Sequence, residues 1–585
     1  MDKLTFELAS EVDGAQVSPF VSKQWLSIMD SNSQNYASSQ CVIDTSQLSN
    51  SNKWLSYREA YLQVPIVITV TSDMVDGFAP TVPATDASYL VGLKNWYGSL
   101  IHSMSVSYNG SIVIQQQGFQ SMLNSFKLMT SLSWSDVSSM GSSLGFYPDD
   151  PLAFSSHVAA GARGGVGTCN NRNAAHATGA SAGVVNSFNG LLANDGFRMR
   201  QSYINFDVDG GADALSRYSD FITTETCDAM YKSHVMTKID AVTPAPAGGV
   251  QGVFQIAATC TIMLRHLHGF FEALPLIKGA FMTITLQLNN CTTVVNKGAG
   301  ANGVMTIGRV NSAVGGINPL MFASREADCG GIALGAGAAT VITASVAVGS
   351  RPIEASHMIG VVAGVRAGAI GTSLTLNVPS YQMNPIFEQS YLSDPIRAVP
   401  YTDFYTFTVV NVPAGGTISS LLTNGIAGLR RLTVFPVFSS ADAANTFLPA
   451  GMPVYHSPFD TTCTSGGGSP LAYINQFQVV VAGANVLAQQ ERYTYEQWLH
   501  ELSSCGAVNG GLTDGVTSGL LSQAGWEMAP VFTCDLSRML PAERTVPKSV
   551  QLQGINASVC SCDYICFLEF DQAGLRVNCL DGSRS

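Results

Sequence analysis

The residues best suited to chemistry are His266, His268 and Glu272, in the segment RHLHGFFEALPLIKG. If this segment is a β-strand, the two imidazoles point to the same face, because side chains alternate along a strand. Glu272 would return toward them after Gly269. Two imidazoles and a carboxylate with open coordination positions suit iron, manganese or zinc. The spacing therefore makes these three residues candidate metal ligands.

The segment also resembles the first metal motif of the cupin family, H-x-H-x3-E-x6-G, ending here at Gly279. The leading glycine of that motif is replaced by Cys260, and the second motif, P-x-G-x2-H-x3-N, is absent. Its nearest counterpart, PAG at 449–451 followed by His456, has the wrong spacing. Because a fourth ligand is missing, we expect a strand whose histidines meet polar neighbours, with no metal or other cofactor bound.

Other catalytic signatures lack their structural context. The pattern G-x-S-x-G occurs at 141–145, after a helix-like stretch, and at 179–183, within Gly/Ala-rich sequence. Neither place offers the strand-turn-helix that activates a nucleophilic serine. Cys560, Cys562 and Cys566 share strand parity with apolar residues, so we expect them to line a core face rather than bind zinc. We therefore expect no enzyme.

Composition and charge point away from nucleic acid. The chain has 585 residues, of which 12% are charged, and its net charge is −12. No cluster of lysine and arginine is available to bind phosphates, so direct binding to a genome is not expected. Such a sparsely charged surface suits contacts between subunits. Thirteen cysteines and an N-terminus without an apolar signal sequence indicate reduced thiols in a cytoplasmic compartment.

One uncharged segment, at 329–350, is long enough to cross a bilayer. It is rich in glycine, has little leucine or phenylalanine, and ends in ATVITASVAV, whose β-branched residues favour a strand. We expect a Gly/Ala loop that leads into a buried strand, and no membrane span.

Strand patterns dominate the rest of the sequence. VPIVITVTS at 64–72 and FMTITLQLN at 281–289 alternate as two-faced sandwich strands do. MSVSY and SIVIQ flank Asn109-Gly110, which supplies the two positive-φ residues of a tight hairpin turn. A second series runs from DFYTFTVVNV to CDYICFLEF. Helices are few: one is expected over 119–129, and one begins at Thr494, which forms a capping-box pair with Gln497.

These patterns fall into two blocks. The segment 378–405 carries four prolines and separates them, so we place a domain boundary near residue 390. The predicted organisation is an N-terminal arm at 1–50, a first domain with long loops at 51–390, and a second domain at 391–585. The Gly/Ala-rich loops at 155–197 and 329–350 are expected to have an interaction role, as long loops in compact domains usually do.

The order of the segments resembles one family as a whole, the double jelly-roll major capsid proteins of virophages and polinton-like viruses, in the adenovirus hexon lineage. The likeness extends from about residue 50 to the end of the chain, and no single motif carries it. The segments that carry it are, in order, WLSYREAYLQVPIVITV, LIHSMSVSYNGSIVI, GFRMRQSYINF, HLHGFFEALPLIKGAFMTITLQLN, VPSYQMNPIFEQSYLS, PYTDFYTF, VYHSPFD, FQVVVAGANVL, YTYEQWLHEL, CDLSR and SVQLQGINAS.

The resemblance implies an all-β fold of two tandem eight-stranded jelly-roll β-sandwiches with long loops and a few short helices. It implies a major capsid protein whose homotrimers, hexon-like capsomers with six jelly rolls, tile an icosahedral double-stranded DNA virus shell. The implied partners are other copies of the chain, neighbouring capsomers, and minor capsid, penton and cement proteins, with the N-terminal arm as a tie beneath the shell. The implied location is the virion, assembled in the host cytoplasm.

Two alternatives stay open at this point. One is a cupin-like metal-dependent enzyme, for which bound metal would be decisive. The other is a jelly-roll receptor-binding module such as a fibre head, which usually needs a single jelly roll and is therefore disfavoured by the length of the chain.

Overall fold

The computed structural model shows a chain built mainly of strands. It describes residues 18–32, 36, 38–49, 52–72, 89–94, 96–149, 196, 234–239, 252–297, 305–324, 340–349, 373–439, 454–456, 467–469, 472–487, 493–504, 520–537, 543–558, 560–572 and 574–584.

The strands of these residues are numbered in chain order. In the first block they are β1 Phe20–Met29, β2 Gln40–Asp44, β3 Trp54–Leu55, β4 Tyr61–Ser72, β5 Tyr89–Leu93, β6 Ile101–Tyr108, β7 Ser111–Ile114, β8 His234–Ile239, β9 Gly252–Met263, β10 Met282–Leu288, β11 Cys291–Lys297, β12 Met305–Ser312, β13 Leu320–Ser324, β14 Thr340–Val348 and β15 Thr375–Met383. From the linker onward they are β16 Ile396–Ala398, β17 Tyr401–Val412, β18 Thr417–Ile426, β19 Leu429–Phe438, β20 Ile474–Val481, β21 Ala484–Asn485, β22 Phe532–Asp535, β23 Lys548–Asn556, β24 Cys562–Gln572 and β25 Arg576–Asn578.

The helices are short. They are α1 Ser46–Ser49, α2 Gln120–Ser131, α3 Trp134–Leu144, α4 Leu264–Leu267, α5 Gly269–Ala273, α6 Pro385–Tyr391, α7 Tyr495–Ser504 and α8 Gln523–Met528. The two that were predicted are confirmed as α2 and α7. Thr494 and Gln497 form the expected reciprocal pair of hydrogen bonds at the start of α7.

The second block is a sandwich of two four-stranded sheets, with strand orders β17-β24-β19-β22 and β18-β23-β20-β21. Counting its eight strands along the chain, one sheet reads 1-8-3-6 and the other 2-7-4-5. This is the jelly-roll arrangement. Strand β24 is buried along nearly its whole length, because its sheet is covered on both faces.

The first block repeats the same order. The sheets β1-β15-β4-β9 and β2-β10-β6-β7 again read 1-8-3-6 and 2-7-4-5 when β3, β5, β8 and β11 to β14 are set aside as additions. Strand β4 pairs with β15 only over Tyr61 to Gln63, and the added strand β14 pairs with the rest of β4. The predicted alternation in β10 is confirmed, since Met282 and every second residue after it are buried.

Strand order also separates the two ends of the first jelly roll. Consecutive strands of a jelly roll alternate in direction, so the connections from strand 3 to 4, from 5 to 6 and from 7 to 8 all leave the same end, which we call the insertion end. These connections span residues 73–100, 115–251 and 289–374. Connections 2-3, 4-5 and 6-7 leave the opposite end, the turn end, and span only 45–60, 109–110 and 264–281. The linker at 384–400 and the residues after β24 also start from the turn end.

The structure corrects the predicted N-terminal arm. Strand β1 pairs with β15 along nearly its whole length, and β2 pairs with β10, so residues 20–44 belong to the first jelly roll. Charge misled the prediction, because four of the six acidic residues in 1–50 lie at 2–13, before these strands, whereas β1 and β2 together contain only Asp44. Residue 390, the predicted boundary, lies in α6, between the last strand of the first jelly roll and the first strand of the second.

Candidate assembly surfaces

The three candidate metal ligands do not converge. The segment that carries them is not the expected strand; it forms α4 and α5, because Leu264, Leu267 and Phe270 are buried at helical spacing. The Glu272 side chain is 61% exposed, and its Oε1 lies 3.9 Å from Nη2 of Arg58. Among the residues that the structure describes, no group of three or more His, Cys, Asp or Glu side chains is placed to hold a metal ion.

His266 and His268 occupy different surroundings. Burial, helped by the neighbouring Arg265 charge, lowers the pKa of His266 to about 4, and no described residue bonds its Nδ1. His268 caps α5, accepting the Phe270 N–H at its Nδ1 over 3.1 Å. Its Nε2 must then carry the proton, and it faces Oδ1 of Asp403 at 3.3 Å. Asp403 lies on β17, so this buried pair joins the two jelly rolls.

The first half of β17, the edge strand of its sheet, is covered by the first jelly roll, whereas Thr408, Val410 and Asn411 farther along the strand are exposed. The Tyr401 hydroxyl donates to the Val113 carbonyl over 2.6 Å. The Thr406 N–H donates to Oε1 of Gln117, and its hydroxyl donates to the Gly118 carbonyl over 2.9 Å. Residues 113–118 begin at the end of β7 and continue past it, so the fifth strand of one jelly roll and its continuation pack on the first strand of the other.

We call this contact between the two jelly rolls the seam. Helix α2 continues it beyond residues 113–118. Phe126 is fully buried, and its ring meets that of Phe435 edge-on at 5.7 Å. At the next residue, Lys127, Nζ lies 2.8 Å from Oε1 of Glu569, and Arg431 binds the other oxygen of the same carboxylate. Burial opposes ionisation of Glu569, yet the Arg431 and Lys127 charges lower its pKa to about 2. The seam therefore contains a buried carboxylate that stays ionised.

A second edge, that of β1, meets no such cover among the residues that the structure describes. On β1 the outward residues Val21, Trp25 and Met29 are 63%, 48% and 70% exposed. Trp25 packs against Tyr61 with ring centroids 5.3 Å apart, and the Lys23 ammonium lies 5.1 Å above the Trp25 ring. Trp25 and Met29 share one face of β1 with Lys23 and Ser27, because side chains alternate along a strand, and Val21 lies at the register shift between Phe20 and Ser22. Val21, Trp25 and Met29 are the apolar members of this exposed surface, which we call the β1 stripe.

The last residues of the chain return to the first jelly roll. Strand β25 pairs with β16 in the linker, and Cys579 accepts the Lys278 N–H at its carbonyl over 2.9 Å. The Gly582 carbonyl accepts from the Tyr108 hydroxyl at 2.7 Å and from the Asn109 amide at 2.6 Å. The backbones come so close that a Cβ on Gly582 would lie 2.5 Å from the Cα of Ala280. We call residues 576–584 the C-terminal tie.

The remaining sequence motifs have structural positions. Ser143 lies in α3 and donates to the Met140 carbonyl, so it is not at a nucleophile elbow. Cys560, Cys562 and Cys566 are buried, as expected. The predicted strand near residue 345 is β14, and no helix of the described residues is long and apolar enough to cross a membrane. Residues 155–195, 197 and 325–339, with the second G-x-S-x-G pattern, lie outside the described residues.

Sequence reasoning missed the seam and the tie. A signal for the seam was present in LRRLTVFPV, where Arg431 interrupts an apolar strand and must find a buried counter-charge. A signal for the tie was also present, in the glycines of KGAF and DGS, but no local pattern shows that two such turns approach each other.

Strand order defines this chain as a double jelly-roll protein, which confirms the predicted fold class. Three solved structures are similar to it over nearly its whole length. A chain of the Sputnik virophage cryo-EM structure has 10% identity and a TM-score of 0.49, with 98% of this chain and 90% of that chain covered. The Faustovirus major capsid protein has 8% identity and a TM-score of 0.36, with 96% and 91% covered. The PBCV-1 virus capsid model has 7% identity and a TM-score of 0.35, with 98% and 99% covered. No protein-family model and no curated protein matches the sequence.

Proposed function

We propose that this chain is the major structural subunit of an icosahedral double-stranded DNA virus shell and that it acts as a homotrimer. One observation carries the proposal: the chain contains two jelly rolls of the same strand order, packed side by side on a buried seam. Three copies would supply six similar bodies. A body with a near-hexagonal outline can tile a flat facet with neighbouring trimers, which is the task of a hexon-like capsomer.

The two ends of the first jelly roll suit the two sides of a shell. The insertion end carries the three long connections, including residues 155–197 and 329–350, and we assign it to the outside. The turn end carries the linker and the C-terminal tie, and we assign it to the inside. The further partners are minor capsid, penton and cement proteins. Of the expected N-terminal arm, only the residues before Phe20 are left to run beneath the shell and contact such partners. The location is the virion, after assembly in the host cytoplasm.

The alternatives fit the geometry less well. A cupin-like enzyme would need His266, His268 and Glu272 around one ion, whereas His268 faces Asp403 and Glu272 faces Arg58. A fibre head needs only one jelly roll and gives no role to the seam. We therefore propose no catalytic function and no metal for this chain.

Light scattering after size-exclusion chromatography at micromolar concentration tests the proposal. We expect a mass of about 185 kDa, three times the chain mass of 61.8 kDa, and a three-fold particle with a near-hexagonal outline in negative stain. A persistent monomer would refute the shell subunit. One equivalent of iron, manganese or zinc by elemental analysis, lost on His266→Ala, would favour the enzyme instead.

A further inference from the structure

The β1 stripe is an apolar surface on the edge strand of a sheet. Val21, Trp25 and Met29 span about 26 Å at 3.3 Å per residue. Edge strands with exposed apolar faces promote association unless charges or cover protect them. Among the described residues, Lys23 lies within the stripe, between Val21 and Trp25, and pairs with Glu59 at half-exposed positions. The three apolar side chains are still 48% to 70% exposed around this single charge.

The chain itself shows what covers an edge of this kind. Strand β1 is the first strand of the first jelly roll, and β17 is the first strand of the second. Residues 113–118, which run on from the fifth strand of the first jelly roll, cover β17. The second jelly roll has its own fifth strand, β21, where Ala484 and Asn485 are exposed. Among the described residues, each copy therefore has one first strand, β1, and one fifth strand, β21, that do not pack against the other jelly roll of the same chain.

We propose that the β1 stripe of one copy docks on β21 and the adjoining residues 486–487 of a second copy. This contact continues between chains the interface that the two jelly rolls already form within one chain. It rests on the proposed shell function, since it supplies the contact that the homotrimer needs. The two surfaces are different, so the contact is head-to-tail, and such contacts close into rings when the rotation per copy allows.

The stripe has the composition of an interface centre. Tryptophan is the residue type most often found at energetic hot spots, and methionine is enriched at interfaces. Trp25 lies in the middle of the stripe, with Val21 and Met29 on either side. A carboxylate at position 25 could pair with Lys23, but docking would still have to remove it from water, whereas in the free chain it would stay solvated. The substitution should therefore affect association far more than folding.

Two full-length variants test this pairing. Trp25→Glu damages the β1 stripe, and Ala484→Glu damages β21. We expect each variant alone to weaken trimer formation at least about tenfold and to elute as a monomer at micromolar concentration, with an unchanged melting temperature of the monomer. Trp134→Glu is the matched control, because Trp134 is a 59% exposed tryptophan on α3, away from either edge; this variant should stay trimeric.

Mixing the variants gives the sharper result. In a head-to-tail contact, the Trp25→Glu variant still has an intact β21, and the Ala484→Glu variant still has an intact β1 stripe. These two intact surfaces can bind each other, so an equimolar mixture should form dimers although each variant alone does not. A trimeric parent with a trimeric Trp25→Glu variant would overturn the pairing and leave the shell function standing. Monomeric variants that stay monomeric when mixed would also overturn it. A monomeric parent protein would overturn the shell function itself.

Discussion

The first strands of the two jelly rolls occupy the same place in the fold but have opposite surroundings. The first half of β17 is covered within the chain, and the contacts there bury a histidine, a carboxylate and a tyrosine hydroxyl. Strand β1 is open and presents the apolar β1 stripe, beside an ion pair at half-exposed positions. A contact that forms once, during folding, can bury charges against fixed partners. A surface that must stay soluble alone and still bind another chain is better served by apolar groups.

Substitutions in the covered seam should therefore lower the free energy of unfolding more than substitutions at the open β1 edge. Removing one member of a buried ion pair leaves an uncompensated charge, which costs about 3 to 5 kcal/mol. We expect Glu569→Ala to lower the free energy of unfolding by that amount, because Arg431 and Lys127 lose their shared carboxylate. Urea denaturation measures the change. Glu59→Gln at the open edge is the control, because it removes the charge paired with Lys23 but keeps an acceptor for the Tyr381 hydroxyl. It should cost about 1 kcal/mol or less, as the loss of an exposed pair does. Equal costs at both edges would contradict the comparison.

The same carboxylate predicts a pH dependence. The pKa of Glu569 is about 2 in the folded chain, below its ordinary value of 4.5. Its contribution to stability is therefore fully present above pH 4.5 and is lost as the pH falls from 4.5 toward 2. Unfolding curves recorded across this window should show a steeper loss of stability for the parent protein than for Glu569→Gln. Parallel curves would mean that the carboxylate is not ionised in the seam.

The C-terminal tie is a second permanent contact, built from backbone rather than charge. Gly582 has a φ of +68°, and a Cβ there would meet the backbone of Ala280. We expect Gly582→Ala to cost about 2 to 4 kcal/mol, from left-handed strain and overpacking together. Gly574→Ala is the control, because nothing lies within 4 Å of its Cβ position and its φ is not in the left-handed region. Melting temperatures that match between the two variants would show that the tie is loose.

Sequence patterns predicted the elements whose signals are local. Alternation identified β10, the Asn-Gly pair identified the β6–β7 hairpin, and Thr494 with Gln497 identified the start of α7. The strand predicted around His266 is wrong, because the alternation rule for strands was applied to residues whose buried side chains have helical spacing. The seam and the tie depend on residues far apart in the chain, such as Lys127 with Glu569, and no local pattern records such a pairing.

A smaller effect than at the tie is expected at the Asn109-Gly110 turn, which lies at the turn end beside the C-terminal tie. Both residues have positive φ, +46° and +78°, as a two-residue hairpin turn of this kind requires. Nothing lies within 4 Å of a Cβ on Gly110, so Gly110→Val adds backbone strain alone, about 1 to 3 kcal/mol.

A substitution at Asn109 tests the contact with the C-terminal tie separately from the geometry of the turn. Its side chain accepts the Phe281 N–H and donates to the Gly582 carbonyl, so Asn109→Gly keeps the turn geometry but removes both hydrogen bonds. Shortening the loop at 155–197 should change the free energy of unfolding little, because the loop-closure entropy changes by only about 0.6 kcal/mol for each halving of the length. Trimer yield and melting temperature of the three variants would be compared. If the shortened loop abolished trimers while Gly110→Val did not, the loop would belong to the assembly contacts, and the contrast between a covered seam and the open β1 stripe would no longer account for association.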